Sequence, residues 1–159
     1  MLRLTSPAFK NGHEIPKVHT CEGKDPSPEL NWSGAPSGTK SFALVMDDPD
    51  APVGLWVHWV LYDIPASLEG LPANLPKTEL VLGGAKHGAS WGVDSFSRIG
   101  YGGPCPPPGK PHRYFFKLYA LDEVLGLPPR ATTAQLAKAM EGKVLAQAEL
   151  IGVFERFET

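Results

Sequence analysis

The residues best suited to chemistry gather in two stretches. MDDPDAPVGLWVHWVLYDIPA, residues 46–66, places Asp47, Asp48 and Asp50 just ahead of the most apolar run of the chain, with His58 inside that run. Farther on, GYGGPCPPPGKPHRYFFKLYALD brings Gly103, Cys105, His112 and Tyr114 into one loop and the segment after it. Carboxylates beside imidazoles suit two kinds of work. One is acid–base catalysis; the other is recognition of an anion by an imidazole that a carboxylate orients.

Competing motifs do not hold up. GASWG, residues 88–92, matches the G-x-S-x-G nucleophile pattern, but that pattern needs a strand before it and a helix after it. VDSFSRIGYGG follows with no helical period. Asp94 is the only acidic residue between Ser90 and His112, the last histidine. GPCPPPGK is not a phosphate-binding loop: its glycine spacing is wrong, Pro111 stands where a hydroxyl should hold magnesium, and its prolines remove backbone donors. His19, Cys21, His58, Cys105 and His112 lack zinc-ligand spacing, so neither a metal nor a cofactor is expected.

Strands must position the remaining candidates. SFALVMD (41–47), LWVHWVLYDI (55–64) and HRYFFKLYALD (112–122) read as strong strands, and ELVLGG as a further one. Strict alternation in the second puts Trp56, His58, Val60, Tyr62 and Ile64 on one face and Val57, Trp59, Leu61 and Asp63 on the other. Both faces are largely apolar, so this strand is expected in the centre of a sheet, covered on both sides. Asp48 then lies just past the end of one strand, His58 within the next, and His112 at the start of the third. Neighbouring strands would bring them to one rim. LRLTS, KVHT and ELNWSG read as short extended pieces, and Ala85 to Arg98 as a polar loop. TTAQLAKAMEG (132–142) reads as a helix, with Thr132 or Thr133 as its cap and Gly142 as its end. KVLAQAELIGVFERF fits a helical period in its first half and a strand in its second.

Composition bounds the function. The 159 residues suggest one domain, spanning 1–159, and no cut point is evident. With 15 basic against 17 acidic residues and no basic run, nucleic acid is not an expected partner. No apolar run reaches the ~18 residues of a membrane span, and no signal peptide is evident, so a cytoplasmic location is expected. A reduced pair is then the default for Cys21 and Cys105, with a bond between them left open by the sequence. Glycine and proline, 17 each, suit short strands joined by structured turns, hence a mainly β domain with one or two helices. On residues alone, Asp47 to Asp50 also read as turn chemistry, and His58 as a satisfied core histidine.

DDPDAP followed by WVHW, and then GYGGPCPPPGKPHRYFFKLYALD, resembles the phosphatidylethanolamine-binding protein family, also called Raf-kinase-inhibitor-like proteins, in its bacterial and archaeal branch. The likeness runs from SPELNWSGAPSGTKSFAL to AELIGVFER. It implies a large β-sheet packed on a smaller one with Greek-key-like topology and peripheral helices. It also implies a small surface cavity that binds an anion such as phosphate, phosphorylethanolamine or a phospholipid headgroup. Carried over by motif, the ligand-binding residues are Asp48, Asp50, Pro52, Trp56, His58, Gly103, Cys105, His112 and Tyr114, with a cis Ala51–Pro52 bond. Two imidazoles would donate to phosphate oxygens, one held in its donor tautomer by a carboxylate. Binding would then weaken as pH rises through ~6.5. Cys105 stands where many eukaryotic members have glycine. The short C-terminus leaves the cavity mouth open or covered by a partner subunit, as in a homodimer. The resemblance thus implies a non-enzymatic binding protein. The alternatives are an inhibitor docking on a kinase or other enzyme and, less favoured, a hydrolase using the His/Asp pocket.

Overall fold

The structure, a computed structural model, describes residues 1–91 and 98–157. Its strands are β1 (Arg3–Thr5), β2 (His13–Glu14), β3 (Leu30–Ser33), β4 (Ser41–Asp48), β5 (Trp56–Pro65), β6 (Gly70–Leu71), β7 (Leu80–Val81), β8 (Ala85–His87), β9 (Ala89–Ser90), β10 (Arg98–Ile99), β11 (His112–Leu121) and β12 (Val144–Phe154). One α-helix, α1 (Thr133–Met140), and a 3₁₀ turn at Lys17–His19 complete the described elements. The large mixed sheet runs β2-β12-β11-β4-β5-β8-β7, and a smaller one runs β1-β3-β6. Only β2 with β12 is parallel in the large sheet; its other pairs are antiparallel.

The four long strands form two hairpins laid side by side. β4 pairs with β5 and β11 with β12, while β4 and β11 join them through pairs such as Leu118 with Leu44 and Phe116 with Met46. Leu44, Met46, Trp59, Leu61, Phe116 and Leu118 pack from the large sheet against Leu4, Leu30 and Trp32 of the smaller one. Ala43, Val45, Val57, Val60 and Tyr62 face the other way and pack on Leu136 and Met140 of α1. β5 is therefore central and covered on both faces, as its apolar run requires. Each fully buried large side chain there contributes about 1.5–3 kcal/mol.

α1 forms where expected. The Thr132 hydroxyl accepts from the Gln135 amide and the Gln135 side chain accepts from the Thr132 amide, a reciprocal cap. Gly142 follows with a φ of 74°, the left-handed conformation that ends helices without a Cβ penalty. Three expectations change. KVHT is a 3₁₀ turn rather than extended, closed by the Thr20 amide and hydroxyl, both donating to Lys17 O. Ala85–Ser90 is not a polar loop but the buried strands β8 and β9, because small residues let it pack against β5. A Cβ on Gly88 would lie 2.6 Å from Val60 Cγ1 and from Ala131 O. The C-terminal segment is strand from Val144 to Phe154, including the half with the helical period, since that run pairs with β11. Gly92 and Asp94 of the G-x-S-x-G argument lie outside the described residues.

Candidate functional site

β4 and β11 supply the first half of the site. On the face turned toward the smaller sheet, β11 carries His112, Tyr114 and Phe116, and β4 carries Met46 and Asp48. His112 and Asp48, only 2% and 3% exposed, meet there: the ring Nδ1 is 2.7 Å from Asp48 Oδ2. The other carboxylate oxygen, Oδ1, accepts from the Asp50 amide at 2.7 Å. Asp48 is thus fixed at both oxygens, one by the turn it starts and one by the imidazole it holds.

β5 supplies the second half through a register shift. Met46 pairs with Trp59 but Asp47 pairs with Val57, so His58 is an extra residue in β5. Such bulges re-aim side chains beside functional sites. The break in alternation puts Trp59 in the cluster facing the smaller sheet and Val60 and Tyr62 in the cluster facing α1. His58 therefore separates from Val60 and Tyr62, with which strict alternation grouped it. Its ring lies edge-on to Tyr114 and to Trp91, each at 5.2 Å between centroids. Gly102 anchors it twice: the Gly102 carbonyl accepts from His58 Nδ1 at 2.7 Å, and the Gly102 amide donates to His58 O at 3.1 Å.

Between these halves lies a cavity of about 180 Å³. Of the residues expected at the site, Asp48, Pro52, Trp56, His58, Cys105, His112 and Tyr114 line it. Asp50 and Gly103 stand beside it. Asp50 binds Arg113 three times, at 2.9 Å each, through the backbone amide, Nε and Nη2. The guanidinium holds the Asp50 carboxyl down at about 2. Asp50 therefore ties the turn after β4 to the start of β11. Gly103 donates its amide to both oxygens of Asp25 at 3.1 Å, so that amide is turned away from the cavity. A Cβ there would lie 2.1 Å from His19 O and from Asp25 Oδ1, so glycine is required by close approach.

Trp91, Ala51, Val53, Pro106 and Pro107 also line the cavity and were not expected there. Trp91 was the aromatic of the rejected G-x-S-x-G match. An aromatic beside glycines in a polar stretch was the signal, but nothing local says which cavity it closes. Asp47, expected as a turn residue, lies in β4 on the opposite face. It binds Lys117 at 3.1 Å, and burial raises its pKa.

Two covalent expectations are overturned. The Ala51–Pro52 bond is trans, as the described residues hold no cis peptide. The chain reverses instead through Asp48 Oδ1 accepting from the Asp50 amide and Ala51 O accepting from the Gly54 amide at 3.1 Å. Cys21 and Cys105 are joined as a disulfide rather than reduced. The fold sets their Cα atoms 5.4 Å apart across 84 positions, within the reach of such a bond, and spacing alone could not reveal that. Cys21 N also donates to Pro104 O at 3.1 Å, and Tyr101 donates its hydroxyl to His19 O at 2.6 Å, so residues 17–27 buttress the loop that anchors His58.

At His58 the electrostatics differ from those of a phosphate clamp built on cations. Burial, the largest influence, lowers the His58 pKa to about 4, against smaller opposing effects of the Gly102 carbonyl and Asp48. His58 is therefore neutral near neutrality, and its pKa does not set a binding limit near 6.5. With Nδ1–H given to a carbonyl, the Nε2 of the neutral ring is an acceptor, not the donor expected. Tyr114 is fully buried, and its hydroxyl has no hydrogen-bond partner among the described residues. Burial, followed by the carboxylates of Asp48 and Asp50, raises its pKa, so it remains a donor. No group of His, Cys, Asp and Glu suited to a metal occurs among the described residues.

The sequence profile described as phosphatidylethanolamine-binding protein matches residues 5–155. The chain belongs to the phosphatidylethanolamine-binding protein family. A relative from Aquifex aeolicus, named only as a UPF0098 protein, is 52% identical over 98% of this chain and 90% of its own length. One from Methanothermobacter thermautotrophicus with the same name is 46% identical over 98% and 99%. Among solved structures, a putative family homologue from Chlamydia trachomatis superposes with a TM-score of 0.85 at 38% identity, covering 98% of this chain and 97% of that one. YbcL of E. coli, described as a new member of the mammalian family, gives 0.84 at 36% identity, covering 98% of each. The mainly β architecture of this chain is thus that of the phosphatidylethanolamine-binding protein family. No helix of the described residues is long and apolar enough to cross a membrane.

Proposed function

We propose that this protein is a binding module whose cavity between His58, His112, Tyr114 and Trp56 holds a small oxyanion of the phosphate or phosphate-ester type. The observation that carries this reading is the Tyr114 hydroxyl: a fully buried donor, on a residue that lines the cavity, with no partner among the described residues. Buried polar groups left unpaired cost about 1–3 kcal/mol, so one on a residue that lines a cavity points to a ligand. Membership in the family supports a ligand-binding or regulatory role in general. The apolar walls exclude water and strengthen each polar contact inside.

The module is non-enzymatic on this reading. Among the described residues none that lines the cavity is serine or threonine, and the Cys105 sulfur is committed to Cys21. Ser90 donates its hydroxyl to Gly100 O at 3.0 Å and is buried. Calorimetric titration with inorganic phosphate and phosphorylethanolamine tests the proposal. His112→Ala and His58→Ala are each expected to weaken binding about tenfold or more, the value of one charge-assisted contact. Equal affinity in the wild type and both variants would sink it.

A further inference from the structure

The hydrogen bonds behind the cavity fix which ring nitrogens can meet a ligand. A carbonyl oxygen only accepts, so the 2.7 Å contact to Gly102 O places a proton on His58 Nδ1. Asp48 already accepts from the Asp50 amide, and its second oxygen lies 2.7 Å from His112 Nδ1, which places a proton there too. A neutral imidazole carries one N–H. In His58, held neutral by burial, Nε2 is therefore a lone pair. It is also the only ring nitrogen left for a ligand in the cavity that both rings line.

At His58 the charged and titratable neighbours do not reverse this. Asp48, Tyr114 and the His112 ring act on His58 from β4 and β11; the loop after β10 gives it only the backbone of Gly102 and Gly103. Arg98 stacks on Trp91, 5.3 Å from the ring, beyond the wall. Asp48, Asp50 and Tyr114 surround His112, while Arg113 is committed to Asp50. Arg156 lies behind the other wall, its Nη1 directed at Cys105 Sγ and Pro106 O. Among the described residues no lysine or arginine lines the cavity. An entering anion meets the Nε2 lone pair of His58 and the Nε2 edge of His112.

We infer that the cavity takes an oxyanion together with a proton shared between an anion oxygen and an imidazole Nε2. It thereby prefers phosphate and singly protonated phosphate monoesters to anions with no proton to give. This rests on the anion-binding reading and names its ligand class. Hydrogen phosphate brings its own P–OH. A phosphate monoester, with a second pKa near ~6, is mostly unprotonated above neutrality and must gain a proton on binding. Sulfate has none to give near neutrality, so its oxygens would face the His58 lone pair. The mismatch is that of an acceptor set against an acceptor in a partly dry site.

Calorimetry at about pH 7.5 and constant ionic strength, repeated in buffers of different ionisation enthalpy, tests the inference. Phosphorylethanolamine is expected to take up about one proton per site, and its affinity to fall about tenfold per pH unit between about pH 7 and 8.5. Sulfate is expected to bind at least about tenfold more weakly than inorganic phosphate. In His58→Asn, which keeps a donor toward Gly102 but loses Nε2, the phosphate-to-sulfate ratio is expected to shrink. If that variant does not fold, the wild-type titrations decide alone. Equal affinities with no proton uptake would overturn this inference and leave the anion-binding reading standing. Absence of binding by all three anions would overturn both.

Discussion

Removing the Tyr114 hydroxyl should stabilise the empty protein and weaken its hold on phosphate. Tyr114→Phe keeps the ring, which packs edge-on to His58 at 5.2 Å and near-parallel to His112 at 6.5 Å. It deletes only a buried hydroxyl that has no partner among the described residues. An orphaned hydroxyl costs about 1–3 kcal/mol, and because this one borders a cavity the lower end applies. A gain of about 1 kcal/mol corresponds to a rise of about 2–4 °C in Tm for a domain of this size. The same hydroxyl, donating to a bound anion, contributes about 1.5–3 kcal/mol, so its loss should weaken phosphate binding about 10- to 150-fold. Thermal melts without ligand and calorimetry with inorganic phosphate read the two effects separately. A fall in stability of about 1 kcal/mol with unchanged affinity would refute the reasoning, since the hydroxyl would then serve the fold.

Three further outcomes follow from the surroundings of the site. Replacing both cysteines by serine in Cys21→Ser/Cys105→Ser frees a closed loop of 84 positions. Loop entropy gives about 4.5 kcal/mol as its ceiling, and a realised loss of about 2–4 kcal/mol should appear in urea denaturation; an unchanged midpoint would remove the disulfide from the account. The His58 pKa is lowered from 6.5 to about 4 by burial. The unfolded chain therefore binds the extra proton first, so the stability from His58 is complete above about pH 6.5 and is lost as pH falls toward about 4, by up to about 3 kcal/mol. Denaturation across that window should show this slope in the wild type and a shallower one in His58→Asn; identical profiles would count against a buried neutral ring. Gly103→Ala forces a Cβ to within 2.1 Å of Asp25 Oδ1 and His19 O. It should cost about 1–3 kcal/mol in the same assay and loosen the loop that anchors His58; a silent substitution would mean that the loop yields freely.

Much of the architecture was legible locally. The apolar runs marked β4, β5 and β11 to within a residue or two, and Thr132, Gln135 and Gly142 delimited α1 through cap chemistry that needs only its own turn. The motif blocks also named seven residues that line the cavity. Local pattern failed where a partner decides. The helical period in the first half of β12 gave way to pairing with β11. The buried strands β8 and β9 read as loop, because alanine, serine and glycine carry little pattern of their own. The fates of Asp47, Asp48 and Asp50 show the same limit. Adjacent in sequence and alike in chemistry, they answer to Lys117, His112 and Arg113, three residues on β11.

The sequence by itself determined the extended course of β4, β5 and β11, the place of the one α-helix, and which side chains could recognise an anion. These follow from side-chain periodicity, cap chemistry and residue type within a few positions. Tertiary structure alone decided the direction of each functional group. One extra residue in β5 turned His58 toward the cavity. The Gly102 carbonyl and the Asp48 carboxylate fixed the hydrogens of the two imidazoles, and burial kept His58 neutral. A bond between two distant cysteines closed the wall. Each depends on an atom supplied from far along the chain, and hydrogen-bond direction, burial and covalent reach are set only when those segments meet.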